Sequence, residues 1–345
     1  MKKITILLFV LVLLSACVQR LFVIEGTEYK SNKALQTIKK DFKGNLYKDG
    51  TFQNLYEYSG SKGLWDVIKW KLSTNPQQEE KDKENYKLKV QKDDSIFKEK
   101  KDYIVWLGHA SFLIQIDGKK ILTDPCLTAP PLYERLVELP FKIEKIKPNY
   151  LLVSHGHYDH LEIDSIQSFD NAMALIPLNM SETINDLNPK IKTQEAGWYQ
   201  QYDINETFQI FFMPSRHWHR RGAFDTDKVL WGSYIIKSKE KTIYFSGDSA
   251  YSKHFSDTAE LFPSIDIALM PIGAYSPRKM MKANHMNPQD TLQASKDLKA
   301  KQIIPMHFGT FDLSDEPLGE PERVFRNIGK DENIRFLDVG EKMLF

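Results

Sequence analysis

Apolar and polar positions are unevenly spread along the 345 residues, and the unevenness divides the chain into stretches with different textures. Lys2 and Lys3 precede an apolar run from Ile4 to Leu14. Residues 18 to about 50 are polar and lysine-rich, which predicts a tether and lead-in segment. Leu64–Leu72 then places apolar residues at helical spacing with lysines between them. Such a stripe either packs on a domain or lies on a lipid surface. Residues 78–102 are crowded with Lys, Glu and Asp and predict a solvated linker or exposed helix. From Tyr103 the texture becomes β-rich. Strands are predicted over 103–107, 112–116 and 120–123, with Asp117-Gly118 as a hairpin turn. Further strands are predicted at 149–153, 173–177, 208–213, 230–237, 241–246, 266–271 and 302–306. Helical patterns follow at about 162–170, 256–262 and 287–299, the last capped at Asn287-Pro288. Strand pairs mixed with surface helices predict two sheets covered by helices, in a domain over 101–345. Residues 18–100 form a tether and helical lead-in packed on that core.

Composition changes this picture little, but the amino terminus changes it more. Hydrophobic residues make up 41% and charged residues 27%, ordinary for a globular chain. A formal net charge of +1 argues against a strongly basic nucleic-acid binder, so no nucleic acid is expected as a partner. The charged start, short apolar run and small residues of Leu14-Ser15-Ala16-Cys17 describe a secretory signal, residues 1–17. The closing tetrapeptide resembles a bacterial lipobox. That implies acylation of Cys17 and a lipid-anchored protein in the bacterial cell envelope, facing outside the cytoplasm. Of the two cysteines, Cys126 then stands alone and has no disulfide partner.

The candidate chemistry is concentrated in Leu151-Leu-Val-Ser-His155-Gly-His157-Tyr-Asp159-His160. An apolar strand runs into three histidines and an aspartate within six residues. Neutral imidazole with carboxylate is a donor set suited to zinc. Three more ligand types stand at the ends of predicted strands: His217, Asp248 and His307. The expected arrangement is His155, His157 and His217 on one ion, Asp159, His160 and His307 on the other, and Asp248 bridging. Two zinc ions are expected, with manganese or iron(II) as possible substitutes.

These residues, together with Trp106-Leu-Gly-His109-Ala, Leu122-Thr-Asp124-Pro125, His217-Trp-His-Arg-Arg221, Lys228-Val-Leu-Trp-Gly-Ser233, Met270-Pro-Ile-Gly-Ala-Tyr275, His285 and His307-Phe-Gly-Thr310, occur in an order that resembles the metallo-β-lactamase superfamily. Within it they resemble the N-acylphosphatidylethanolamine-hydrolysing phospholipase D family, over roughly residues 45–320. The resemblance implies an α/β (α+β) fold, an αββα sandwich of two mixed sheets flanked by helices. It implies hydrolysis of N-acylphosphatidylethanolamine or a related phospholipid to phosphatidic acid and N-acylethanolamine. Redox di-iron relatives carry Glu where Tyr158 stands, which disfavours oxygen chemistry. The alternatives are a dinuclear hydrolase of another ester, such as a lactone or soluble phosphodiester, and a non-enzymatic metal-binding surface lipoprotein.

On this reading two ions share a water whose pKa falls toward about 7, and that water attacks phosphorus in line. Asp159 and His285 are the expected catalytic side chains, His285 contacting phosphate or assisting proton transfer. His109 and Asp124 are expected to orient the ligands. Tyr275, Arg220 and Arg221 are expected at the substrate. His219 and His254 have no assigned role.

Overall fold

The computed structural model describes residues 26–56, 58 and 63–345, so the signal segment and Cys17 lie outside the described residues. Strands β1 (Thr27–Lys30), β2 (Asn45–Lys48) and β3 (Thr51–Phe52) form a small antiparallel sheet. Helices α1 (Leu64–Leu72) and α2 (Gln78–Lys83) follow. The body then begins with β4 (Tyr103–Trp106), β5 (Phe112–Ile116), β6 (Lys119–Thr123) and β7 (Tyr150–Leu152). Next come α3 (Ile163–Gln167), β8 (Met173–Pro177), α4 (Ser181–Leu187) and β9 (Lys192–Ala196). The second half contains β10 (Gln200–Gln201), β11 (Gln209–Met213), β12 (Ser233–Lys237), β13 (Thr242–Phe245), α5 (His254–Leu261) and β14 (Ile265–Pro271). It closes with α6 (Arg278–Met281), α7 (Pro288–Asp297), β15 (Ala300–Met306), α8 (Glu320–Ile328) and β16 (Lys342–Leu344).

Two mixed sheets result, ordered β16-β4-β5-β6-β7-β8-β9 and β10-β11-β12-β13-β14-β15. Each passes from antiparallel to parallel pairing, at β6–β7 in one and β13–β14 in the other. Strand periodicity decides what is buried where. Ile104, Trp106, Ile114 and Ile121 face the core between the sheets, with Phe212, Tyr234 and Phe245. Their neighbours Tyr103, Val105, Leu113 and Leu122 face the opposite way, onto a layer holding Ile166 of α3 and Ile184 of α4. A strand buried on both faces reads as a continuous apolar run, which is why these segments stand out in the sequence. The Asp117-Gly118 turn has positive φ at both residues, 49° and 74°, the conformation a two-residue hairpin requires. Asn287 caps α7 through a reciprocal capping box with Asp290.

The lead-in packs on the body and contains short strands as well as helices. Residues 26–56 dock on the second sheet, where Ile38 N–H donates to Tyr199 O at 2.8 Å and Trp198 N–H to Asn45 Oδ1 at 3.1 Å. Phe52 is fully buried. The segment is polar because its short strands bury little: no side chain of β1, Asn45 of β2 and Phe52 of β3. Residues 78–102 are likewise held: Val90 bridges to Val339, and Ile96 is buried. Helix α1 leans on the body through Trp70, whose Nε1 donates to Asp315 Oδ2 at 2.9 Å. Trp65 and Leu72 on the same helix are 64% and 83% exposed. Among the described residues no helix is long and apolar enough to cross a membrane.

Candidate metal centre

Four strands of the two sheets end at one edge, and each delivers side chains to the same place. β7 runs into Ser154-His155, β11 leads to His217, β13 to Asp248 and β15 to His307. Backbone turns make this convergence possible. Gly247 has φ of 54°, and a Cβ there would lie 2.5 Å from Ser154 Cβ, so only glycine lets Asp248 approach the β7 end. Gly156 separates two ligand histidines because the ring of His219 lies against it; a Cβ would meet His219 Cε1 at 2.2 Å.

The side chains form two groups. In the first, His157 Nδ1 lies 2.8 Å from His155 Nε2 and 3.3 Å from His217 Nε2. Nitrogens bound to one tetrahedral zinc at ~2.05 Å would stand about 3.3 Å apart. In the second, Asp159, His160 and His307 gather with His109. Asp248 spans both, with Oδ2 at 3.3 Å from His160 Nε2 and 3.8 Å from His217 Nε2, and Oδ1 at 3.1 Å from His307 Nε2. His160 Nε2, His307 Nε2 and Asp248 Oδ1 are nevertheless buried without a hydrogen-bond partner. Orphaned polar atoms each cost about 1–3 kcal/mol, and convergent lone pairs are relieved by a shared cation. The donors present therefore fit two divalent ions.

The outer partners fix which ring nitrogen is free. Asp124 is fully buried; its Oδ2 accepts from His160 Nδ1 and from Ser154 Oγ, both at 2.6 Å, and its Oδ1 accepts from Ser154 N–H at 2.6 Å. Ser154 Oγ, having given its proton to Asp124, accepts from His155 Nδ1 at 2.9 Å. His217 Nδ1 donates to the carbonyl of Asn284 at 2.9 Å. In all three rings the contact at Nδ1 turns Nε2 inward, the face a metal-binding histidine offers, and in His155 and His217 that nitrogen is left unprotonated. Burial holds His155 and His217 well below the usual histidine range and His157 at about 3, so they are neutral at pH 7. Burial also lowers His160, but the carboxylates of Asp248, Asp159 and Asp124 outweigh it and hold that ring well above the usual range.

His109 is buried, with Nε2 3.1 Å from Asp159 Oδ2, and its φ of 52° is held by Thr310 Oγ1 and by Trp106 Nε1 on its carbonyl. His285 places Nδ1 3.6 Å from Asp248 Oδ2 with 17% of its side chain exposed; burial lowers its pKa to about 4.

Three residues expected at the substrate are engaged by neighbouring groups of the protein. The Tyr275 hydroxyl donates to Glu320 Oε1 at 2.6 Å, directed to α8. Arg221 donates to the carbonyls of Leu161 and Gly156 at 2.6 and 3.2 Å and stacks on Tyr158, bracing the metal loop from behind. Arg220 is exposed and donates to Gly222 O. In each case a nearer carbonyl or carboxylate takes the donor. Roles invisible in the sequence also emerge. His219 Nδ1 accepts from Gly156 N–H at 3.2 Å, and His254 bonds Ser249 Oγ next to Asp248. Cys126 is buried, its thiol donating to Tyr158 O.

Comparisons with known proteins agree with this geometry. A family model described as a beta-lactamase superfamily domain matches residues 119–308. The N-acyl-phosphatidylethanolamine-hydrolyzing phospholipase D of Saccharomyces cerevisiae, a mitochondrial protein, is 33% identical over 64% of this chain, which spans only half of that relative's length. A UPF0173 metal-dependent hydrolase of Pelotomaculum thermopropionicum is 32% identical over 70% of the chain and 98% of its own length. In fold, the chain is similar to a metallo hydrolase from Ignicoccus hospitalis, with a TM-score of 0.55, 22% identity and coverage of 71% and 98%. With its αββα layers and histidine-aspartate cluster, this chain belongs to the beta-lactamase superfamily as a metal-dependent hydrolase of the metallo-β-lactamase fold.

Proposed function

We propose that the protein is a two-zinc phosphodiesterase of phospholipase D type, acting on N-acylphosphatidylethanolamine or a related phospholipid at a membrane to which Cys17 is lipid-anchored. The observation that carries the reading is the set of exposed apolar side chains on segments bordering the metal centre. Leu132 is fully exposed, and Tyr133 and Leu136 are partly so, on a loop tied to the His307 segment through Leu136 N–H and Thr310 O. Tyr158 lies within the metal loop, Phe224 follows Arg221, and Trp65 and Leu72 project from α1 beside Asp315. Large apolar side chains exposed on several such segments suit contact with a lipid surface.

Two divalent ions supply a lowered water pKa and positive charge for phosphoryl oxygens. His155, His157 and His217 would hold one, Asp159, His160 and His307 the other, and Asp248 both. The carboxylates of Asp159 and Asp248 would only partly offset two divalent cations, which favours an anionic substrate. Asp159 is kept in place by His109. Neutral His285 opens toward solvent beside Asp248 and is placed to accept a proton or hydrogen bond from bound substrate.

The test is headgroup release by zinc-restored protein from vesicles of N-acylphosphatidylethanolamine, phosphatidylcholine or phosphatidylethanolamine, with Asp159→Asn as control. Release of N-acylethanolamine by wild type, lost in the variant, is expected. Cleavage of lactones or soluble phosphodiesters alone would overturn the lipid assignment, and equal release by Asp159→Asn would remove the role of the metal centre.

A further inference from the structure

Residues 52–56 and Tyr58 touch the metal centre from outside the region matched by the superfamily description. Phe52 is buried, and its N–H donates to Asp227 O at 2.7 Å, anchoring this segment as a strap. Two residues later, Asn54 Nδ2 donates to the backbone carbonyl of His217 at 2.8 Å. Four residues further, the Tyr58 hydroxyl donates to Asn284 Oδ1 at 2.5 Å. Asn284 is the residue whose carbonyl receives His217 Nδ1–H, and it directly precedes His285. The strap therefore grips His217 twice, once at its backbone and once through the residue that sets its ring. Between these contacts the Tyr56 hydroxyl bonds Asp257 on α5, which is no part of the donor set.

We propose that Asn54 and Tyr58 are positioning residues that hold His217 in its metal-binding geometry, making the strap a working part of the centre. The proposal rests on the reading of His217 as a metal ligand. A side chain released at its backbone and at its ring partner samples orientations in which Nε2 no longer converges with His155 and His157, and affinity for that ion falls. Partners outside the ligand shell commonly change metal affinity by about 10- to 100-fold. Tyr58, one layer further out, is expected to contribute about 3- to 10-fold.

The experiment is zinc titration of the full, metal-free chain against a chromophoric chelator, comparing wild type, Asn54→Ala, Tyr58→Phe and Tyr56→Phe. Thermal melting of each metal-free variant is measured alongside, and cobalt(II) spectra follow the two sites. Weaker binding of one of two ions in Asn54→Ala and Tyr58→Phe, with a shifted cobalt band, and no change in Tyr56→Phe at comparable melting temperature, is the expected result. Equal weakening by Tyr56→Phe would make the strap merely structural and overturn the proposal, as would unchanged zinc binding in both Asn54→Ala and Tyr58→Phe. Should one of those two fail to fold, the other carries the comparison. A wild type that binds no zinc would instead overturn the metal reading of His217 itself, a distinguishable failure.

Discussion

Asp124→Asn isolates the group on which both halves of the metal centre depend. The carboxylate accepts three hydrogen bonds of 2.6 Å, two of them at Oδ2. An amide can accept at only one end. If its oxygen takes the Oδ2 position, the NH2 group confronts Ser154 N–H, leaving a buried donor unpaired. If the amide is turned over, the NH2 group confronts His160 Nδ1–H, and that ring can recover a hydrogen bond only by moving its proton to Nε2, where it blocks the metal. The first arrangement is the less damaging and costs about 1–3 kcal/mol for the orphaned donor. It also removes the negative charge that makes His160 a stronger ligand. Together these predict metal binding weakened about 10- to 100-fold. The site of His160 should weaken more than that of His155, which Asp124 reaches only through Ser154 Oγ. Competition titration of metal-free protein with zinc reads both constants, with circular dichroism as the check on folding. Two binding constants within about twofold of wild type would refute this account of how the rings are oriented.

Other consequences are as direct. Gly156→Ala should abolish binding of one zinc, since its Cβ would overlap His219 Cε1 at 2.2 Å, and zinc stoichiometry by elemental analysis checks it. Burial raises the Asp227 carboxyl to about 6, with the His219 N–H bond opposing. A carboxyl raised in the fold costs nothing while protonated below the unfolded value of about 4, and its full penalty applies above about 6. Asp227→Asn should therefore stabilise by about 1–2 kcal/mol at pH 8 and by almost nothing at pH 4, read as a pH series of melting temperatures. Trp65→Glu with Leu72→Glu should lower sedimentation with anionic vesicles several-fold while leaving turnover of a soluble phosphodiester unchanged; equal vesicle binding would remove α1 from the membrane-facing surface.

Much of the architecture can be read from the chain because β4, β7 and β8 are buried on both faces and so carry unbroken apolar runs, which only Gln115 interrupts in β5. β9 and β16 escape detection: Lys192-Thr-Gln-Glu-Ala196 is an edge strand with one fully buried residue, and Lys342-Met-Leu344 is three residues long. The candidate ligands are legible for a related reason, since each stands just beyond the end of an apolar strand. Their supports are not. Asn284 acts through a backbone carbonyl on a ring 67 positions away, and His219 through the amide of Gly156, 63 positions away. Arg221 and Tyr275 show the converse, where side-chain type suggested an anion or a substrate and the fold supplied carbonyls and a glutamate instead.

The centre thus divides into parts with different origins. The donors belong to strand ends shared by both sheets, a placement dictated by the sandwich itself, and they decide that the chemistry is metal-assisted hydrolysis. On the proposed reading, what a substrate meets on its way to them belongs to segments added to that sandwich: the 126–142 loop with Leu132 and Tyr133, the 218–228 loop with Phe224, and α1 with Trp65. A fold hosting many reactions must vary its loops to distinguish them. The same strand-end histidines are therefore compatible with several esters, and the apolar character of the added segments is what argues for a lipid. Substitutions at the strand ends should remove turnover of every ester alike, whereas substitutions in the added segments should change the ratio between lipid and soluble substrates and leave the bound metal in place.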